Sequence, residues 1–216
     1  MSAAHGEQVR MLEEHGVEVG RSINWWGMIF FIASEALIFA NLIAAYLYLE
    51  VRGLQIPHGF WVLPSGEDLP ILFPTGVNTI ILLSSSIFAH RAGRAAARGE
   101  RNGINGMIWN LVITIILGAI FLGGQAYEYT SLYAEGFSLQ YKTFGSAFFT
   151  LTGFHGLHVT VGLIFLIIIL IRTIRGDFTA QKHFGLTAGE MYWHFVDGVW
   201  VFVFSTVYLL PLLLPH

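Results

Sequence analysis

GSAFFTLTGFHGLHVTVGLIFLIIILI, residues 145–171, contains no Asp, Glu, Lys or Arg, and only one class of structure accommodates it. Wound as a helix rising ~1.5 Å per residue, the run is about 40 Å long, more than the ~30 Å hydrocarbon core of a bilayer. A helix also pairs its own backbone donors and acceptors, as lipid requires. Four further stretches have the same character, at residues 25–49, 72–90, 107–125 and 191–214. The expected fold is all-α: a polytopic membrane bundle of five transmembrane helices forming one domain over residues 25–214, after an N-terminal segment of residues 1–24. Pro74 and Pro211 fall near span ends, where a missing amide donor costs little. Trp25, Trp26, Tyr46 and Tyr48 sit near the ends of the first span, as interface anchors do.

Composition agrees. Of the 216 residues 55% are hydrophobic and 12% charged, against ~25% charged in a typical soluble domain. The formal charge of −3 carries no basic footprint for nucleic acid. The absence of cysteine excludes disulfides, thiolate metal sites, CxxCH haem attachment and a thiolate-bridged copper centre. Residues 1–24 contain Glu7, Arg10, Glu13, Glu14, Glu18 and Arg21 without an apolar run, so no cleavable signal is expected and the first span itself targets the membrane. Orientation follows from Lys and Arg, which accumulate on the cytoplasmic side. Five spans put Arg10, Arg21, Arg91, Arg94, Arg98, Arg101, Arg172, Arg175 and Lys182 on one side, and only Arg52 and Lys142 on the other. The N-terminus is therefore expected to be cytoplasmic and the C-terminus outside, and four or six spans would destroy the asymmetry.

Four groups of residues can carry chemistry. Glu35 lies near the middle of the first span, where desolvation favours the neutral acid unless a cation is adjacent. It reads either as a hydrogen-bonded structural acid or as a reversible proton site. His155 and His158 share a helical face with Gly162, at a depth similar to that of Glu35. They read first as helix-to-helix hydrogen-bonding groups, with haem or copper ligation as the alternative. On one helix, histidines three residues apart are poorly arranged for the two axial positions of a haem. Glu190, His194 and Asp197 form a polar stripe at the start of the fifth span, either a network that fixes packing or a proton path. On the expected cytoplasmic side, His5, His15, His90 and His183 can buffer protons near neutral pH.

Several ordered motifs then carry a family resemblance: Trp26-Gly27 through Glu35; Asn78-Thr79 with His90; Gln125-Ala126-Tyr127-Glu128-Tyr129; Gly145-Ser146 with Phe149; Thr152 through Val159; His183-Phe184-Gly185; and Tyr192 through Asp197 with Val199-Trp200. Along nearly the whole chain the sequence resembles subunit III of haem-copper terminal oxidases, most closely of bacterial cytochrome c oxidases. The resemblance implies a cofactor-free subunit in a bacterial plasma (inner) membrane. By it, the haems and active-site copper reside in subunit I, which this chain flanks, and subunit II receives electrons. A small subunit IV is a further possible partner. The resemblance also implies phospholipid binding and support of proton uptake, and it matches Glu35 to the family's carbodiimide-reactive acid. Two departures stand out: the two additional N-terminal helices of seven-helix members are not expected here, and Ala89-His90-Arg91 replaces the His pair of many members. The alternatives are subunit III of a quinol oxidase, a haem b membrane anchor of a dehydrogenase resting on His155 and His158, and a proton-coupled transporter using Glu35 and Asp197.

Overall fold

A computed structural model describes residues 22–53, 63–64 and 72–213. Among them run five helices of 21 residues or more: α1 Ile23–Gly53, α2 Val77–Arg98, α3 Met107–Ala134, α4 Lys142–Arg175 and α5 Phe184–Phe204. A π-helical turn, Leu72–Gly76, leads into α2. Another, Ser205–Leu209, continues α5 into the short α6, Leu210–Leu213. Among the described residues the only extended pairing is the isolated bridge between Thr179 and Lys182. The fold is all-α. By length and composition α1, α3 and α4 can each cross a membrane. The other two carry more polar residues: α2 holds three serines, His90 and three arginines, and α5 holds Glu190, His194 and Asp197.

Helices α1 to α4 are longer than the apolar runs that foretold them. The apolar run of α3 ends at residue 125, yet the helix continues to Ala134. The cause is Glu128, a polar residue that reads as a helix exit. It is buried instead, accepting hydrogen bonds from Thr75 and Tyr208, both 2.8 Å. α2 and α4 stop at Gly99 and Gly176, whose φ values of 72° and 87° belong to the left-handed region that suits glycine. Behind each glycine the next amide reaches back into the last turn, Glu100 to Ala95 and Asp177 to Arg172.

By contact the chain divides into residues 1–34 and 35–216. In the first unit the rings of Trp25 and Trp26 meet edge to face with centroids 5.1 Å apart. Ser34 there turns its hydroxyl onto the Phe31 carbonyl at 2.7 Å, satisfying itself within its own helix.

In the second unit α2 packs on α3, α3 on α4, α4 on α5 and α5 back on α2, closing a four-helix ring. Trp193 and Trp200 of α5 are buried inside it. Lipid-soluble helices gain no hydrophobic drive from packing on one another, so close backbone approach and interhelical hydrogen bonds carry the association. Both are present. A Cβ on Gly118 would lie 2.7 Å from Trp193 and 2.9 Å from Leu163, so α3, α4 and α5 meet through that glycine. The connections place the arginine-rich ends together: Arg101, in the α2–α3 link, donates to the carbonyl of Ile174 at the end of α4. At this same end Arg98 pairs with Glu100 at 2.8 Å, and this hydrogen bond holds the exposed Glu100 carboxyl below its ordinary range.

Candidate functional site

Glu35 and His158, on α1 and α4, come together: Oε2 of the acid lies 2.9 Å from Nε2 of the imidazole. The other ring nitrogen, Nδ1, lies 2.8 Å from the carbonyl of Phe154 one turn back. A carbonyl only accepts, so Nδ1 carries a proton. Nε2 then either accepts from a neutral Glu35 or, as imidazolium, donates to its carboxylate. In both cases the pair has zero net charge and one proton shared along Oε2···Nε2. The Phe39 ring closes over His158, edge to face at 4.7 Å.

His155 does not join this pair. Its side chain is fully buried against Trp200, at a centroid distance of 4.6 Å, and edge-on to Phe121 at 5.8 Å. Neither ring nitrogen has a hydrogen-bond partner among the described residues. Gly162, seven residues on from His155, packs against the rings of Trp193 and Tyr192, so both face α5, where His155 meets Trp200. The two histidines therefore occupy different environments although they are three residues apart.

The α5 stripe is one half of a longer arrangement whose other half is α2. Trp200 Nε1 donates to Thr79 Oγ1 at 2.9 Å, and Trp193 Nε1 donates to Ser85 Oγ at 2.8 Å. Ser86 donates to Asp197 Oδ2 and also contacts His194 Nδ1 at 2.9 Å. Glu190 Oε1 lies 2.8 Å from His90 Nδ1 and 3.7 Å from His194 Nε2. Thus polar contacts run from His90, with 57% of its side chain exposed, inward to Asp197, which is buried. Gly93 clears the space for the Glu190 carboxylate, because a Cβ there would fall 1.8 Å from Oε2. One coordinating atom each from His90, Glu190 and His194 lie within 4.8 Å of one another, spacing that a metal ion can bridge.

His90 was grouped by sequence with the cytoplasmic buffering residues, whereas the structure makes it the outer member of this network. His183 is separate, just before α5, with its Nδ1 buried and unpartnered among the described residues. His5 and His15 lie outside the described residues. Sequence reasoning passed over Ser86, the link between His194 and Asp197, since serines on apolar helices ordinarily bond back to their own turn, as Ser84 and Ser85 do. The spacing of Thr79, Ser86 and His90, seven and four residues apart, was the available signal for a polar α2 face.

A groove of ≈ 640 Å³ lies between α1 and α5, bounded by Phe39, Ile43 and Leu47 on one wall and Phe195, Val199 and Phe202 on the other. Its lining is almost entirely apolar, with His194 at the margin.

Comparison with known proteins gives the same answer from several directions. The profile of the cytochrome c oxidase subunit III family matches residues 6–211. A protein of Thermostichus vulcanus named cytochrome c oxidase subunit 3 is 41% identical over 185 residues, covering 85% of this chain and 86% of that protein. Its counterpart from Synechocystis is 42% identical over 200 residues, covering 92% and 80%. Another from Corynebacterium diphtheriae is 39% identical over 184 residues, covering 85% and 86%.

Proposed function

The chain belongs to the cytochrome c oxidase subunit III family, and we propose that it serves as the cofactor-free accessory subunit of a proton-pumping respiratory oxidase in a bacterial plasma membrane. The observation that carries this reading is the extent of the likeness: about two residues in five are identical along most of the chain to bacterial proteins of that name. The complex reduces dioxygen to water with electrons from cytochrome c. Haems and copper reside in subunits I and II, and this chain flanks subunit I, with a small subunit IV as a further neighbour. The relatives' names favour cytochrome c over quinol as donor, and over a haem anchor or transporter as the class of protein.

In this reading the chain spans the membrane five times, N-terminus in the cytoplasm, with the arginine-rich ends of α2 and α4 also there. The joining of the two ends through Arg101 and Ile174 supports it. The apolar groove between α1 and α5 takes a phospholipid acyl chain. Glu35 and His158 hold α1 to α4 by a shared proton, and the path from His90 to Asp197, together with His5, His15 and His183, supplies protons on the cytoplasmic side. Affinity purification from native membranes through a tag on this chain tests the whole. Expected companions are a haem-bearing subunit I and a copper-bearing subunit II; recovery with a quinol-oxidizing complex or a dehydrogenase would overturn the assignment.

A further inference from the structure

We propose that His90, Glu190 and His194 form a binding site for one divalent transition-metal ion of borderline softness, of which Zn²⁺ is the reference. The donor set is two imidazoles and a carboxylate, the chemistry such ions select, and it is too poor in oxygen for Mg²⁺ or Ca²⁺. Two ligands come from α5, one turn apart, and the third from α2, so the site is held by two packed helices rather than a loop.

The hydrogen-bond directions leave the site facing inward with a lone pair. Ser86 has a single hydroxyl proton and donates it to Asp197 Oδ2. Its 2.9 Å contact with His194 Nδ1 therefore requires the imidazole to donate there. The neutral ring then presents an unprotonated Nε2, and it faces Glu190 Oε1 at 3.7 Å, too far for a hydrogen bond and with no proton between them. Two electron-rich atoms so placed gain from a cation between them. Second-shell partners of this kind fix the tautomer of metal-binding histidines and raise their basicity. Asp197 behind Ser86 completes such a relay.

Dimensions agree as well. Bonds of ~2.0–2.1 Å in tetrahedral geometry separate ligand atoms by about 3.3 Å. The two spacings to Glu190 Oε1, 2.8 and 3.7 Å, straddle that value, so loading needs only side-chain adjustment. His90 now uses Nδ1 against Glu190; on loading, its proton transfers through solvent to Nε2, which the exposed ring permits. Three protein ligands leave the fourth position to water, so the ion is exchangeable. Its effect is to clamp α2 to α5 and to hold the His90–Glu190–His194 contacts in one protonation state.

The test is Zn²⁺ titration of the purified complex against a fluorescent zinc indicator, with anomalous scattering at the zinc edge to locate the ion. Wild type is expected to hold one Zn²⁺ that His90→Asn and Glu190→Gln weaken by at least tenfold. Ser86→Ala, which removes the orienting partner, weakens it about 10- to 100-fold, and His183→Asn leaves it unchanged. His90 is largely exposed, so its variant assembles even if a change at partly buried Glu190 does not. Unchanged affinity in His90→Asn, or an anomalous peak away from these three residues, overturns the proposal.

Discussion

His158 spends one ring nitrogen on the Phe154 carbonyl, and that local bond decides what Glu35 can do. Only Nε2 remains for the acid, so the two residues share one proton and neither needs to be buried as a lone charge. Glu35→Gln retains a donor to Nε2 and is expected to leave assembly intact while abolishing carbodiimide modification. Glu35→Leu strands Nε2 and is expected to weaken the hold of α1 on α4 by about 1 kcal/mol, the scale of interhelical hydrogen bonds in membranes. A double-mutant cycle read from subunit retention in detergent separates the histidines. Coupling of that size is expected between Glu35 and His158 and none between Glu35 and His155, whose nitrogens have no hydrogen-bond partner among the described residues. The sequence put both histidines at the right depth. It could not choose between them, because a step of three residues turns a helix by about 60° from a full circle, and neighbours from other helices decide which ring meets the acid.

Each helix pair relies on a few positions where one chain gives way to another. Gly123 and Gly124 of α3 are adjacent in sequence and opposite in circumstance. A Cβ on Gly124 would lie 2.6 Å from the Asn78 amide, which donates to the Phe121 carbonyl at 2.8 Å, whereas nothing lies within 4 Å of one on Gly123. Gly124→Ala is expected to destabilise the α2–α3 pair by about 1–3 kcal/mol through forced repacking, and Gly123→Ala to be neutral or mildly stabilising. Reversible unfolding in mixed detergent micelles measures the difference, and equal effects would refute the packing argument. On the α2–α5 side Thr79→Val keeps shape but leaves the buried Trp200 indole N–H without its acceptor. The expected loss in the same assay is about 1–2 kcal/mol. Helix existence was legible from hydropathy, since 145–171 and its fellows admit no other structure. Helix ends were not. The continuation of α3 past residue 125 depends on Thr75 and Tyr208, residues 53 and 80 positions from Glu128, which no local pattern reveals.

At the scale of the molecule, charge sidedness and chain connectivity point the same way. Arg98, Arg101, Arg172 and Arg175 gather at one end of the four-helix ring, and Glu135, after α3, marks the other. Because the chain has no cysteine, single cysteines report sidedness cleanly. A cysteine at position 135 is expected to react with an impermeant thiol reagent in intact cells, and one at position 98 only after the membrane is opened. The reverse pattern would invert the orientation. Composition and motif order were enough to read the class of protein from sequence. The α2–α5 network was only half legible, because His90 and Glu190 are separated by 100 residues and meet through the fold alone. The central claim is that this subunit sustains the oxidase without holding any of its redox centres. It is tested most directly by stripping the chain from the purified complex and measuring haem, copper and turnover in what remains. The account predicts unchanged haem and copper per subunit I, no Soret absorption in the released chain, and turnover that falls more at alkaline than at acidic pH. Haem or copper leaving with the chain would contradict it.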